Sequence, residues 1–158
     1  MKTYFCSLFD YKNGNLYWKV SRSNRIKVGQ LAGTYPKDKR PRVNIGSKIE
    51  LIHRIIFAMH HDYIPKYVDH IDGNSLNNKI ENLREATFSE NVQNSKLRKD
   101  NKSGIKGLHW NKERKKWDAT ICKNKQKIFV GRYKDIEQAK LAINEARKNL
   151  HGNFARFS

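Results

Sequence analysis

Two adjacent residues near the middle of the chain, Asp69 and His70, carry side chains suited to cation binding and proton transfer. A carboxylate is a hard oxygen ligand for Mg²⁺ or a similar cation. Imidazole is the side chain best matched to taking a proton near neutral pH. Neighbouring strand residues point to opposite faces, but at a strand end that leads into a loop both side chains can reach one site. The pair therefore indicates a metal ion beside a general base.

The residues around this pair predict a strand, a loop, a second strand and a helix. Tyr67–Ile71 and Asn82–Ala86 are the expected strands, and residues 72–81 are the loop between them. A T-x-x-E capping box at residues 87–90 predicts a helix that starts near Phe88. Asn91 then lies on this helix, where its amide oxygen can be a second, neutral ligand. Mg²⁺ shares its coordination with water and phosphate, so two protein oxygens are enough for a site.

The spacing of Asp69-His70, Asn82 and Asn91, in the context VDHIDGN…NN…ENLR…T…N…N, resembles the HNH nuclease motif. The branch it resembles is found in phage and intron-encoded homing endonucleases. The resemblance implies a ββα-metal finger, in agreement with the predicted elements. It also implies that the enzyme hydrolyses phosphodiester bonds in double-stranded DNA, leaving 5′-phosphate and 3′-hydroxyl ends.

The resemblance gives each motif residue a role. His70 is the general base that activates water, and Asn82 fixes the loop and so orients His70. Asp69 and Asn91 hold one divalent cation, Mg²⁺ first and Mn²⁺ second, which contacts the scissile phosphate. Many HNH enzymes have His where this chain has Asn91, which leaves the preferred metal open.

Other polar residues near the motif are expected to shape the loop or to support the site. Asn74, Asn77 and Asn78 are expected to be turn residues that close the loop. Asn94, one helical turn after Asn91, is either a partner of the site or a helix-to-loop contact. Arg54 lies on a helix predicted over residues 50–60, and similar His-Arg pairs precede the motif in this branch. We expect Arg54 to contact DNA phosphate or to support the site, and the neighbouring His53 to be structural.

Charge supports a nucleic-acid partner. The net charge is +18, with 33 Lys and Arg against 15 Asp and Glu, and so basic a chain is expected to bind a polyanion. The basic residues are spread over turns, strands and loops, which disfavours a membrane-surface helix. No apolar run is long enough to span a membrane and no secretion signal is visible, so we expect a cytosolic protein of a bacterium or phage-infected cell. Cys6 and Cys122 are then expected to be free thiols.

The predicted fold class is α+β with two small cores. Residues 1–94 form an HNH nuclease domain whose lead-in, residues 3–49, alternates short strands with Asn-Gly and Gly turns and packs on the finger. Residues 95–103 are a polar linker. Residues 104–158 predict a three-stranded antiparallel sheet backed by one helix, with Asp135 as N-cap and Gly152 just past the helix end.

The C-terminal segment resembles an AP2 domain in its Gly107, its Trp117 with Ala119 and Ile121, its Val130-Gly131 pair and its Ala-rich helix ending in His151-Gly152. The resemblance implies that the sheet enters the DNA major groove. Residues 95–158 carry 18 Lys and Arg against 6 Asp and Glu, whereas residues 1–94 carry 15 against 9. The candidate DNA-binding residues are Lys106, His109, Trp110, Lys112, Arg114, Lys116, Lys123, Lys125, Lys127 and Arg132.

Two of these positions leave specificity open. Lys106 and His109 stand where AP2 domains carry base-reading arginines, so no target sequence follows. Trp110 is either a base or sugar contact or a core residue, whereas Trp117 alternates with Ala119 and Ile121 and is expected in the core.

The leading hypothesis is therefore a homing-type HNH DNA endonuclease that cuts or nicks DNA. The alternatives are a non-catalytic DNA-binding regulator and an RNA-binding protein, the latter disfavoured by the lack of an aromatic-rich sheet surface. A monomer is expected, because no coiled coil or long apolar helix is visible.

Overall fold

The computed structural model describes residues 2–37, 40–97 and 100–157. The chain divides into two units, Met1–Ala86 and Thr87–Ser158. Each unit combines helices with small antiparallel sheets, which confirms the α+β class. Each unit also has its own hydrophobic cluster, as the expectation of two small cores requires.

The N-terminal unit is built from three two-stranded hairpins and two helices. Its elements are, in chain order, α1 (Lys2–Leu8), β1 (Phe9–Lys12), β2 (Asn15–Trp18), β3 (Arg42–Ile45), β4 (Lys48–Leu51), α2 (Ile52–His61), β5 (Tyr67–His70), a 3₁₀ turn (Ile80–Asn82) and β6 (Leu83–Ala86). Each hairpin pairs consecutive strands, β1 with β2, β3 with β4 and β5 with β6.

Helix α2 forms the centre of this unit. Its sequence IHRIIFAMHH places apolar residues on most of its surface, and Ile52, Ile55 and Ile56 are almost fully buried. Phe9 and Leu16 from the first hairpin share their cluster. The lead-in segment thus packs on the nuclease segment, as predicted.

The first hairpin turns at Asn13 and Gly14, which have φ values of 49° and 84°. Two consecutive positive φ values match the twist of a tight hairpin and favour Asn-Gly. A Cβ atom on Gly14 would lie 2.9 Å from the backbone nitrogen of Lys79 and 3.0 Å from the carbonyl carbon of Asn78. Glycine therefore lets this turn rest directly on the backbone of the loop before β6.

The lead-in departs from the predicted alternation of short strands in two places. Residues 2–8 form helix α1, which was not predicted; the helix buries Phe5, and the backbone N–H of Lys2 donates to Asp62. So short a helix is stabilised by packing rather than by propensity. The segment VGQLAG forms only an isolated bridge from Leu31 to Tyr17, because Gly29 and Gly33 both adopt positive φ and interrupt an extended strand.

The C-terminal unit contains α3 (Phe88–Gln93), β7 (Leu108–Asn111), β8 (Lys116–Lys123), β9 (Gln126–Tyr133), α4 (Ile136–His151) and a 3₁₀ turn (Gly152–Phe154). The three strands form one antiparallel sheet in sequence order. Asp135 accepts hydrogen bonds from the N–H groups of Glu137 and Gln138 as the N-cap of α4. Ala139 and Ile143 on α4 pack against Leu108, Ala119 and Ile121 of the sheet.

Helix α3 begins at the predicted capping box. Thr87 accepts from the backbone N–H of Glu90, and the Glu90 carboxylate accepts from the backbone N–H of Thr87. The division between the units falls at Ala86, whereas the predicted domain boundary lies at residue 94. Of the predicted linker, residues 98 and 99 lie outside the described residues, and Ser103 donates to the carbonyls of Ile105 and Leu108.

Within the part of the chain that the structure describes, no helix has the length and apolar character needed to cross a membrane.

Candidate active site

Asp69 lies on β5 directly opposite Arg84 on β6. The Arg84 guanidinium donates two hydrogen bonds to Asp69 Oδ2, from Nε at 3.0 Å and from Nη2 at 2.9 Å. Asp69 is buried, with 5% of its surface exposed. Since a buried carboxylate is costly without a partner, the hairpin register both neutralises Asp69 and fixes its orientation.

His70 ends β5 and is held by a residue from the following loop. Its Nε2 atom lies 2.9 Å from Oδ1 of Asn78, and both side chains are buried. An amide oxygen only accepts hydrogen bonds, so the neutral imidazole carries its proton on Nε2. Nδ1 then has the lone pair, which is the protonation state that a general base needs.

Burial lowers the pKa of His70 below its ordinary value, and the charge of Arg40 lowers it further. The hydrogen bond to Asn78 and the negative charges of Asp69 and Asp72 oppose this shift without reversing it. His70 is therefore neutral at pH 7 and able to accept a proton. The nearby carboxylates would stabilise the imidazolium that forms when it does.

The structure corrects the prediction that Asn78 is only a turn residue. Its side chain is 1% exposed and contacts His70, while its neighbour Lys79 is in backbone contact range of the Gly14 turn. The hydroxyl of Tyr11 on β1 accepts from the backbone N–H of Ile80 at 3.1 Å. The first hairpin thus supports the loop that holds His70, a role that no local sequence signal showed.

Asn82 ties the loop between β5 and β6 together. It lies on the 3₁₀ turn, just before β6 rather than within it. Its Oδ1 accepts from the backbone N–H of Asp72 at 3.0 Å, and its Nδ2 donates to Asp72 Oδ1 at 2.9 Å and to the carbonyl of Asn77 at 2.8 Å. These bonds close the loop that begins immediately after His70.

The same loop confirms the turn prediction for Asn74 and Asn77. Asn74 Oδ1 accepts from the N–H of Leu76, and Asn77 Nδ2 donates to Asp72 Oδ2 at 2.8 Å. Partial burial raises the pKa of Asp72, but hydrogen bonds from Asn77, Asn74 and Asn82 outweigh it and the pKa is lowered. Asp72 is thus a fixed negative charge that organises the loop.

His53 and Arg54 lie on α2 and differ in environment. The ring of His53 is 2% exposed, and its centroid lies 5.0 Å from that of His70. Burial, followed by the charges of His70, Arg40 and Arg54, lowers the pKa of His53 to about 3, so it is a neutral packing partner of His70. Arg54 Nη1 donates to the carbonyl of Lys66 at 3.0 Å, just before β5, which places Arg54 among the supports of that strand.

Asn91 and Asn94 lie in the C-terminal unit. Asn91 is on α3, with its backbone N–H bonded to the carbonyl of Thr87 at 3.0 Å. Asn94 is the C-cap residue of α3, and its carbonyl accepts from Arg156 Nη1. Asp69, His70 and Asn82 are therefore brought together within one unit, whereas the two helix asparagines belong to the other.

The donor chemistry fits a hard divalent cation. Asp69 offers a carboxylate whose orientation Arg84 fixes, a ligand of the type that Mg²⁺ prefers. In the described parts of the chain no three His, Cys, Asp or Glu side chains cluster as a metal-binding group. A cation bound at Asp69 would therefore take many of its other ligands from water and phosphate oxygens.

The proposed DNA-contacting residues of the C-terminal unit fall into two groups. Lys112, Arg114, Lys125 and Lys127 are exposed, as are His109 and Trp110. Lys116, Lys123 and Arg132 are half-buried. Trp110 meets Trp117 edge-on at 5.2 Å between ring centroids, and Trp117 packs against the core cluster as predicted.

Lys106, one of the predicted DNA-binding residues, supports the end of α3. Its ammonium donates to the carbonyls of Val92, Gln93 and Ser95 at the end of α3, at 2.9–3.2 Å. Burial, with the charge of Arg147 as the next cause, lowers the pKa of Lys106 to about 8. An ammonium committed to three carbonyls has little capacity for phosphate.

Arg132 is similarly engaged. Its Nε and Nη2 atoms donate to the two carboxylate oxygens of buried Asp118, and Asn111 Nδ2 donates to Oδ2 at 3.0 Å. The hydrogen bonds from Arg132 hold the pKa of Asp118 below its usual range. The charge of Arg132 is thus largely balanced within the sheet. His109, with Nε2 3.9 Å from Asp118 Oδ2, is the exposed member of this group.

Comparison with known proteins identifies the class. The family model described as HNH endonuclease matches residues 50–93, the segment that contains Asp69, His70, Asn82 and Asn91. A protein of Acanthamoeba polyphaga mimivirus named as an HNH endonuclease is 36% identical over 107 residues, which are 66% of this chain and 54% of that protein. Residues 50–93 are therefore an HNH endonuclease domain, and the matches support a nuclease.

A second relative is matched over a larger share of its own length. Protein 3.8 of Escherichia phage T7 is 48% identical over 97 residues, which are 60% of this chain and 78% of that protein. The chain thus belongs to the same family as the T7 protein. No solved structure matches the chain.

Proposed function

We propose that the chain is a metal-dependent DNA endonuclease of the homing HNH type, which hydrolyses phosphodiester bonds in double-stranded DNA. The observation that carries the proposal is the arrangement at the end of β5. There a buried, neutral His70 has its Nε2 held by Asn78, next to a carboxylate held by Arg84. A domain that only binds DNA needs neither arrangement, which argues against the non-catalytic regulator.

His70 acts as the general base in this proposal. Its Nδ1 takes a proton from the water that attacks phosphorus, while Asn78 keeps Nε2 protonated and the ring in place. The resulting imidazolium is stabilised by the negative charges of Asp69 and Asp72. Asn82 contributes through the loop, because its bonds to Asp72 fix the chain immediately after His70.

Asp69 and Asn91 would hold the divalent cation, with Mg²⁺ first and Mn²⁺ second. When bound, the cation supplies stabilisation of the negative charge that develops on the phosphate and on the leaving 3′ oxygen. Arg84 keeps the Asp69 carboxylate in position. The products of such attack are a 5′-phosphate and a 3′-hydroxyl.

The C-terminal unit would hold the DNA as an AP2-like module. The support is its sheet of three strands backed by α4 and its exposed Lys112, Arg114, Lys125 and Lys127. These cations would neutralise phosphates, so binding through them should weaken steeply as salt rises. The protein would act as a monomer.

The test is incubation of supercoiled plasmid with the full chain in Mg²⁺, in Mn²⁺ and in EDTA. We expect nicked or linear DNA with either metal and intact plasmid in EDTA. DNA ligase should reseal nicks directly, because it requires a 5′-phosphate and a 3′-hydroxyl. Intact plasmid under all conditions would support a regulator instead, and nicks that ligase cannot reseal would refute the proposed chemistry.

A further inference from the structure

The positive charge of the N-terminal unit is concentrated in one segment. Residues 11–49 contain ten Lys and Arg and one Asp or Glu, a net charge of +9. Residues 50–86, which include Asp69 and His70, contain four Lys and Arg and six Asp and Glu, a net charge of −2. Residues 50–86 by themselves would repel a polyanion such as DNA. Cations from other parts of the chain are therefore needed to hold DNA at Asp69 and His70.

Three of these cations, Arg22, Arg25 and Lys27, lie on the loop after β2 and are exposed. In the ranges that the structure describes, none of the three has an acidic partner. By contrast, Lys19, at the start of this loop, is 3.4 Å from Asp10. Cations without an acidic partner keep their charge available for phosphate.

The loop that carries these cations is fixed to the first hairpin. Trp18 donates from its backbone N–H to the carbonyl of Gln30 at 2.9 Å, and its own carbonyl accepts from Gly29 at 2.7 Å. The Arg22 guanidinium lies over the Trp18 ring, 5.9 Å from its centroid. The loop backbone is therefore ordered before any ligand binds, which lowers the entropic cost of binding.

A fourth exposed cation, Arg40, connects the segment to the active site. The next residue, Pro41, accepts from the backbone N–H of Ile52 at 3.0 Å, and Ile52 immediately precedes His53, whose ring lies against His70. This backbone bond ties the segment that begins at Arg40 to the start of α2, the helix whose His53 packs on the proposed base.

We propose that the loop after β2 and the exposed Arg40 provide a second DNA-binding surface, in which Arg22, Arg25 and Lys27 hold backbone phosphates and Arg40 contacts the phosphate next to His70. The surface takes the phosphate backbone of double-stranded DNA without reading its sequence. The role of Arg40 rests on the proposed nuclease function. The role of Arg22, Arg25 and Lys27 does not, because it is tested by DNA binding in the absence of cleavage.

The experiment measures binding of the full chain to a fluorescent DNA duplex in EDTA, over a series of KCl concentrations. The test variant is the triple substitution Arg22→Gln, Arg25→Gln and Lys27→Gln. The matched control removes three charges from the C-terminal unit, at and beside α4, by Lys134→Gln, Lys140→Gln and Lys148→Gln. Both variants have the same net charge, so they separate a local surface from a general charge effect.

Each lost phosphate contact lowers the slope of log K against log[salt] by about 0.9. We expect the test variant to lose up to about 2.7 in slope, and the control to bind as the parent does. Equal salt slopes for the two triple variants would overturn the proposal that Arg22, Arg25 and Lys27 form a DNA-binding surface. Because EDTA suppresses metal-dependent cleavage, this result stands even if the plasmid assay shows no nuclease.

Arg40→Gln tests the connection to the active site. We expect it to lower the salt slope by about 0.9 and, in Mg²⁺, to slow single-turnover cleavage at saturating protein by at least tenfold. Lys148→Gln, which removes one exposed charge from α4, should leave both the slope and the saturated rate as in the parent. Equal saturated rates for Arg40→Gln and the parent would overturn the assignment of Arg40 to the reacting phosphate.

Discussion

The Nε2 atom of His70 lies 2.9 Å from Oδ1 of Asn78, both side chains are buried, and the turn at Gly14 lies against the backbone of Asn78. With Oδ1 facing the ring, the neutral imidazole donates from Nε2 and keeps its lone pair on Nδ1. Through Asn78, the proposed base is also connected to the β1–β2 hairpin, which is more than fifty residues earlier in the sequence.

Replacing Asn78 with Leu should slow catalysis without weakening DNA binding. The substitution removes the acceptor for Nε2, and a neutral hydrogen bond is worth roughly 0.5–1.5 kcal/mol. A loss of about 1.4 kcal/mol of orientation energy corresponds to about tenfold in rate. Single-turnover cleavage and duplex binding in EDTA measure the two effects separately. Asn77→Leu, in the same loop, is the control, and an equal rate loss in both would show that Asn78 has no specific role.

Replacing Gly14 with Ala should disturb the active site from a distance. The alanine would have to keep the positive φ of Gly14, and its Cβ would meet the backbone of Asn78 and Lys79. Gly46→Ala is the matched control, since Gly46 has a φ of 63° and nothing within 4 Å of the added atom. We expect both variants to lose about 1 kcal/mol of stability from backbone strain, and Gly14→Ala to lose more and to cleave DNA more slowly. Identical urea midpoints would show that the contact with the loop is unimportant.

Breaking the ion pair of Asp69 should destabilise the N-terminal unit. Arg84→Met leaves a buried carboxylate without its guanidinium, a change that typically costs about 3–5 kcal/mol. Lys19→Met disrupts the exposed pair with Asp10, where about 0–1 kcal/mol is expected. Urea unfolding at pH 7 compares the two variants. A small, equal effect would mean that water, rather than Arg84, compensates the charge of Asp69.

His53 should make the protein sensitive to acid. Its folded pKa of about 3 lies below the ordinary value of 6.5, so the unfolded chain binds more protons between these limits. Stability therefore falls as pH drops from about 6.5 toward 3, by up to about 1.4 kcal/mol per pH unit for this group. Urea midpoints between pH 7 and pH 4.5 should decline less steeply in His53→Gln than in the parent. Parallel declines would show that His53 is solvated in the folded state.

Local signals in the sequence predicted the elements around the site. The capping box at Thr87, the Asn13-Gly14 hairpin turn and the alternating strands of the C-terminal sheet act within a few residues, and each was found as predicted. Helix α1 was missed because its stability depends on packing of Phe5 rather than on caps.

The role of Asn78 could not be predicted for a related reason. Asn74, Asn77 and Asn78 lie in the same Asn-rich loop, and nothing in the neighbouring sequence distinguishes the one whose amide contacts His70. The Gly14 turn, which lies against the backbone of Asn78, is distant in sequence. The commitment of Lys106 to the end of α3 was hidden in the same way, because a lysine in a basic segment gives no sign that carbonyls surround it.

The most direct test of the central claim compares the parent and His70→Ala in single-turnover cleavage of a DNA duplex with Mg²⁺ at saturating protein. A general base contributes about 10²- to 10⁴-fold, so we predict cleavage by the parent and a loss of at least about 100-fold in the variant, with unchanged binding in EDTA. Equal cleavage by the two proteins, or no cleavage by the parent, would contradict the assignment of His70 as the base of an HNH nuclease.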